Sequence, residues 1–131
     1  MAKTLITDEG KTEVLRLSFK NDDSRGGFDY IALGGANSAG AQKKEFAEIT
    51  DSSYQRAQTT VDSLDDKSIS ISAIFDETNL NSSNGELITE IGLVNSSEYS
   101  GEEVFFTYCE VPNITKDDSI SLKYTIIIEI E

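Results

Sequence analysis

The chain has 131 residues, with 11 Lys and Arg against 24 Asp and Glu, and its formal net charge is −13. This length fits one domain over residues 1–131 that buries a core without disulfides, and the negative charge argues against nucleic acid and membrane as partners. The sequence has no His and only 1 Cys, which excludes histidine-dependent nucleophiles and zinc sites built from Cys and His.

The first segment of the chain fits two secondary structures. Thr7 or Asp8 is suited to cap a helix whose first turn is acidic. The apolar residues within 14–19 fit a helical stripe, and part of the same run alternates with polar residues as in a strand. We expect a helix, a preference that comes from the family resemblance described below. No apolar stretch predicts a signal peptide or a membrane span.

The rest of the chain is rich in strand patterns. Alternation or continuous apolar runs predict five strands: Phe28–Gly34, Ser68–Phe75, Glu86–Val94, Val104–Val111 and Ser119–Glu131. Weaker patterns indicate short strands around 46–49 and 54–57, and Asn84-Gly85 is typical of a hairpin turn. Pro112 should end the fourth strand, because proline cannot donate to a ladder. The fifth strand would extend about 40 Å, at roughly 3.3 Å per residue, so we expect it to bend or to pair with another subunit.

Carboxylates offer the best candidate ligand site, because their oxygens suit calcium. Three adjacent acid pairs lie near loops: Asp22-Asp23, Asp65-Asp66 and Asp117-Asp118. None matches the known calcium-loop pattern, so solvated turn residues are the preferred interpretation. No spacing marks a catalytic pair of carboxylates. We therefore predict no enzymatic activity, no cofactor and no metal, and we expect Cys109, in an apolar run, to be a buried small hydrophobe.

Several other residues are best interpreted by the backbone geometry or the burial that they imply. Gly34-Gly35 follows a strand without dinucleotide or P-loop spacing, so we interpret it as a tight exit from that strand. Gly92, inside a strand, indicates a bulge or the close approach of another backbone. Glu90 lies on the face of Gly92. Either Glu90 is buried and needs a cation, for which Arg56 is the candidate, or it faces solvent.

A series of short segments resembles the N-terminal domain of tail-collar fibre proteins of tailed bacteriophages and prophage particles. In order, they are Ile31-Ala32-Leu33-Gly34, Tyr54-Gln55-Arg56, the alternating strand 69–75, Glu90-Ile91-Gly92-Leu93 and the aromatic run 105–108. The family often has Asp-Gly after the first segment, where this chain has Gly35-Ala36-Asn37. The resemblance covers about Leu5 to Val111 and does not include the receptor-binding tip of longer members, so it implies no host recognition.

This resemblance implies a structural virion component, made in the host bacterial cytoplasm, that docks a fibre or completes a tail, collar or baseplate. Its partners would be other phage tail or baseplate proteins and further copies of itself, as a trimer or ring. We predict an α+β fold, mostly an antiparallel β-sandwich with one N-terminal helix. We expect six residues to form the family motif and to take part in assembly: Ile31, Gly34, Arg56, Glu90, Gly92 and Leu93.

Two other functions stay open at this point. The first is a carbohydrate- or cell-surface-binding β-sandwich module for host adhesion, with or without calcium. Tyr54 and Tyr99 near polar loops would suit sugar stacking, whereas the absence of Trp counts against it. The second is an acidic inhibitor that mimics nucleic acid, which the scattered distribution of the acids disfavours.

Overall fold

The computed structural model describes residues 4–15, 27–35, 49, 55–65, 67–78, 86–97 and 104–129. These residues form one helix, α1 (Asp8–Leu15), and eight strands. The strands are β1 (Thr4–Ile6), β2 (Tyr30–Gly34), β3 (Ala57–Gln58), β4 (Thr60–Leu64), β5 (Ser68–Phe75), β6 (Glu86–Val94), β7 (Phe105–Lys116) and β8 (Leu122–Glu129).

The strands form two antiparallel sheets that pack face to face. Sheet A has five strands in the order β1-β7-β6-β2-β3, and sheet B has three in the order β4-β5-β8. One buried cluster joins them, with Leu33 and Ile91 from sheet A against Ile71, Phe75 and Ile126 from sheet B. The fold is therefore α+β and mostly an antiparallel β-sandwich with a single helix in the described part, as predicted.

The helix begins directly after Thr7, the first of the two candidate cap residues. The Thr7 hydroxyl accepts a hydrogen bond from the Gly10 backbone N–H at 2.9 Å and donates one to the carbonyl oxygen of Phe105, so Thr7 caps α1. The helix packs against β7, and a Cβ at Gly10 would lie 2.8 Å from the Phe106 Cα. The helical interpretation is correct up to Leu15, and residues 16–19 lie outside the described part.

Pro112 does not end its strand, so that prediction is wrong. β7 continues to Lys116 and stays paired with β6 on both sides of the proline. Ile88 lies opposite Ile114 and Glu90 opposite Glu110, so one residue of β6 faces three residues of β7, 111–113. This bulge takes Pro112 out of the regular ladder, which is where a strand tolerates proline.

The last strand begins three residues later than its pattern predicted, and residues 130 and 131 lie outside the described part. Asp117 Oδ1 accepts hydrogen bonds from the Ser119 N–H at 2.9 Å and hydroxyl at 2.6 Å, and this turn delays β8 to Leu122. Its length is about 26 Å at roughly 3.3 Å per residue. The predicted alternation is confirmed, because Ile126 is buried and Ile127 is 61% exposed.

Two short edge strands, β1 and β4, were not predicted. β4 is exposed at all five positions, so its sequence lacks an alternating apolar signal. The strand expected at 54–57 appears as Ala57–Gln58. Of the segment expected at 46–49 only Ile49 is described, and its N–H donates to the Leu33 carbonyl at 3.1 Å. The hairpin expected at 84–85 lies outside the described residues.

β2 begins later than predicted, at Tyr30 rather than Phe28. The Phe28 ring stacks on the Phe106 ring with centroids 5.0 Å apart. Phe28 therefore contributes to packing rather than to the ladder.

Candidate functional site

The two principal motif segments are neighbouring strands of sheet A. β2 pairs antiparallel with β6, which places Ile31 opposite Leu93 and Gly34 opposite Glu90. Gly92 lies opposite Ala32 in the same register. Five of the six predicted residues thus meet along one strand pair, although they are about 60 positions apart in the sequence.

These residues divide between the two faces of sheet A. Ile31 and Leu93 belong to the core between the sheets. Ala32 packs with Phe105 in a second buried cluster, on what we call the outer face of sheet A. Gly92 faces the same side, where a Cβ would lie 2.6 Å from the Phe105 ring. Gly92 therefore does accommodate a close approach, but the approaching group is the side-chain ring of Phe105 rather than the backbone that the sequence indicated.

Arg56, the sixth predicted residue, lies over the same ring. Its guanidinium carbon lies 5.8 Å from the Phe105 ring centroid, within the range of a cation–π interaction. Its Nη1 donates to the Ser96 carbonyl at 3.0 Å, and only 8% of the residue is exposed. We call Gly92, Phe105 and Arg56 the outer stack. In the sequence, Phe105 stands out only as part of the aromatic run 105–108, since its partners follow only from the strand register.

Glu90 is buried, with 2% of its surface exposed, so the solvent-facing alternative is wrong. It lies between Gly34 on β2 and Glu110 on β7. The contacts of Arg56 described above are with Phe105 and Ser96, towards the end of β6 that is distant from Glu90. The pairing of Glu90 with Arg56 therefore stays a prediction.

Of the three acidic pairs, the described part contains Asp117-Asp118 and one member of a second pair, Asp65, and these lie in turns. Hydrogen bonds from the Ser119 hydroxyl and N–H lower the pKa of Asp117, and this carboxylate closes the turn before β8. The Asp65 N–H donates to the Ser68 carbonyl at 2.8 Å in the turn before β5. Asp22, Asp23 and Asp66 lie outside the described residues. Within the described ranges, no group of three or more His, Cys, Asp or Glu side chains converges as a metal site.

Cys109, the single cysteine, is free and buried, as predicted. It belongs to the core cluster between the sheets with 8% of its surface exposed. Its position therefore fits a packing role.

A polar groove of about 460 Å³ lies where the chain crosses from sheet A to sheet B. The crossing between β3 and β4 is held by a hydrogen bond from the Thr59 N–H to the Asp29 carbonyl at 2.7 Å. Amide and charged side chains line the groove, and these are Gln55, Arg56, Gln58, Asp62 and Lys123. Tyr54 and Tyr99, the predicted sugar-stacking residues, lie outside the described part.

Sheet B exposes large apolar side chains. Ile74 is 58% exposed, Ile127 61% and Leu64 74%. β8 is an edge strand of this sheet and, among the described strands, is hydrogen-bonded to β5 alone. We call the side of β8 (Leu122–Glu129) that faces away from β5 the β8 edge. It is eight residues long, the longest sheet edge in the described part.

Comparison of the chain with protein-family models, curated proteins and solved structures finds no match. The resemblance to tail-collar fibre proteins therefore stays a prediction. No helix in the described part is long and apolar enough to cross a membrane.

Proposed function

We propose that this protein is a structural component of a phage or prophage-like tail, in the fibre-attachment region, collar or baseplate. It acts by self-assembly and by docking to other tail proteins, without catalysis or a cofactor. The resemblance of its motifs, in their order along the chain, to tail-collar fibre proteins supports the assignment to a tail particle. The observation that carries the mechanism is the β8 edge.

An exposed and regular strand edge is a surface that natural proteins usually protect. Unpaired N–H and C=O groups invite pairing with another chain, and charges, prolines or bulges usually prevent it. β8 pairs with β5 in unbroken register from Leu122 to Glu129, so its edge is regular. Ile127 on its outward face is 61% exposed. Such a surface fits a protein that acts in an assembly.

The first test is the solution mass of the purified chain, measured by light scattering behind a sizing column over a concentration series. The proposal expects a stable oligomer at about 0.15 M salt, where the repulsion due to the net charge is screened beyond about 8 Å. A monomer at every concentration would refute self-assembly. The second test is detection of the chain in tail particles purified from the producing host, and its absence from intact particles would refute the tail assignment.

The groove favours the alternative function, a carbohydrate- or cell-surface-binding module. Gln55, Gln58, Asp62 and Lys123 supply donors and acceptors at a concave surface, which suits the hydroxyl groups of a sugar. No aromatic side chain is among the described residues that line it, so the usual stacking platform for a sugar ring is missing there.

A glycan-binding screen with and without calcium tests this alternative. Reproducible sugar binding that Gln58→Ala abolishes would favour the alternative over the assembly proposal. Ser70→Ala, a half-buried position elsewhere on sheet B, is the control and should leave any binding unchanged.

A further inference from the structure

The described edges of the two sheets differ in how well they are protected. In sheet A, the outermost strands β1 and β3 have three and two residues, and very short edges pair poorly with other chains. In sheet B, β4 carries a register shift between Val61 and Ser63, with Asp62 at the irregular position. A bulge discourages pairing along an edge. β8 alone among these four strands is long and regular, and the two charges on its outward face, Lys123 and Glu129, have opposite signs.

We propose that the β8 edge binds the β8 edge of a second copy of this chain, antiparallel and across a two-fold axis. Ile126 lies on the axis, opposite Ile126 of the second copy. Sheet B then continues from one copy into the other as a single sheet of six strands, twice the three of one copy. This inference rests on the self-assembly of the proposed function and names the surface and the symmetry.

The side-chain alternation of β8 restricts the register of such a pair. Opposed residues must lie on the same face, because otherwise one copy would turn its core towards solvent. Two registers keep the faces matched and pair seven residues of β8, either 122–128 or 123–129. The first places Lys123 opposite Ile127, and the second places Lys123 opposite Glu129.

Charge complementarity selects the second register. It forms two equivalent Lys123–Glu129 pairs, one at each end of the joined strands, and opposite charges at directly opposed positions stabilise antiparallel pairing. Within one chain, Lys123 lies opposite Ile74 and Glu129 opposite Ser68 of β5. Neither charge therefore has an oppositely charged residue across from it on β5.

The same register covers apolar surface on both faces of the joined sheet. On the core side, the half-buried Tyr124 lies opposite Ile128 of the second copy. On the outward side, Ile127 lies opposite Thr125, and the two Ile127 side chains are diagonal neighbours across the axis, a distance at which large side chains still touch. The pair is isologous and closes on itself, so larger assemblies would contain an even number of copies.

The test uses charge reversal and its rescue. Lys123→Glu and Glu129→Lys each place like charges at both ends of the pair, and we expect each to raise the dissociation constant of the dimer at least about tenfold. The double variant restores both pairs with reversed polarity and should return the dissociation constant to within about threefold of the original. Sedimentation equilibrium gives these constants, and urea unfolding of each variant verifies that it remains folded.

A second pair of variants tests the edge itself. Ile127→Lys and Leu64→Lys introduce the same charge at exposed positions, 61% and 74%, on opposite edges of sheet B. We expect Ile127→Lys to be monomeric and Leu64→Lys to associate like the original chain.

The outcomes separate this inference from the proposed function. An oligomer that neither charge reversal nor Ile127→Lys weakens, a double variant as weak as the single ones, or a stable trimer would overturn the β8 pairing and leave self-assembly intact. A monomeric original chain would overturn both.

Discussion

Replacing Gly92 with Ala tests the geometry of the outer stack. In an ordinary strand interior this change stabilises a protein by roughly 0.5–1 kcal/mol, because glycine loses more conformational entropy on folding. Here the new Cβ would lie 2.6 and 2.7 Å from two carbons of the Phe105 ring and 3.2 Å from the Thr107 carbonyl oxygen. Since carbon atoms pack at about 3.5–4.0 Å, the ring must recede by about 1 Å.

The surroundings of the ring resist that movement. Phe105 is 4% exposed and packs in one cluster with Ala32 and Val94, and the Arg56 guanidinium lies over it. Overpacking of this kind costs about 1–3 kcal/mol. After the entropic gain is subtracted, we expect Gly92→Ala to destabilise the fold by about 0.5–2 kcal/mol. At a urea m-value of about 2 kcal/mol/M, the midpoint would fall by roughly 0.25–1 M.

The assay is urea unfolding followed by far-UV circular dichroism, since the chain has no Trp. Gly27→Ala is the matched control, because a Cβ there would lie 3.5 Å from the nearest atom, an Asp29 carboxylate oxygen. We expect Gly27→Ala to change the stability little. In a Phe105→Val background the ring is gone, so the cost of Gly92→Ala should fall below about 0.5 kcal/mol.

Two results would refute this reasoning. One is a Gly92→Ala variant as stable as Gly27→Ala. The other is an equal cost with and without the Phe105 ring, because the ring would then not be the group that Gly92 accommodates.

Three further predictions concern other parts of the fold. Gly10→Ala should destabilise the fold by about 1–3 kcal/mol, because its Cβ would meet the Phe106 backbone Cα at 2.8 Å and carbonyl oxygen at 2.9 Å. This cost outweighs the better helix propensity of Ala, which is about 1 kcal/mol. A urea midpoint that rises would contradict this prediction. Thr107→Val should stabilise the fold by about 1 kcal/mol, since the buried Thr107 hydroxyl has no hydrogen-bond partner among the described residues. A lower urea midpoint would show that the fold needs this hydroxyl. Burial raises the pKa of Tyr124 from 10.0 to about 12, so the unfolded chain loses this proton first and stability should fall as the pH rises from about 10 to 12. Tyr124→Phe should reduce that fall, which urea midpoints at pH 9 and 11 measure, and an unchanged pH dependence would contradict the assignment.

The strands of the core could be predicted from the sequence because their alternation is a local property. β5 and β8 have one apolar face each, and period 2 is visible within a few residues. β4 could not be predicted in this way, because its five residues are all exposed and no face selects apolar side chains. The prediction that Pro112 ends its strand failed for a different reason. The rule that proline leaves a ladder is local, whereas the bulge that accommodates it depends on the register with β6.

For the side chains of the candidate site too, local sequence patterns predict less than the strand register shows. That Gly92 faces a close approach followed from a glycine inside a strand. That the approaching group is Phe105, and that Arg56 covers the same ring, required the pairing of β6 with β7 and of β2 with β3. The burial of Glu90 was left open for this reason too, because alternation alone does not say which face of sheet A is covered.

The positions of the motif residues suggest that motif and assembly surface are separate. Ile31, Gly92, Leu93 and Arg56 pack within sheet A, so their recurrence in a family would reflect the needs of the fold. The β8 edge lies on sheet B, and no motif residue is part of it. If assembly depends on that edge, Gly92→Ala should lower stability and oligomer content together, in proportion to the unfolded fraction. Ile127→Lys should remove the oligomer and leave the urea midpoint of the monomer unchanged. A folded Gly92→Ala variant that has lost assembly would instead place the interface on the outer stack.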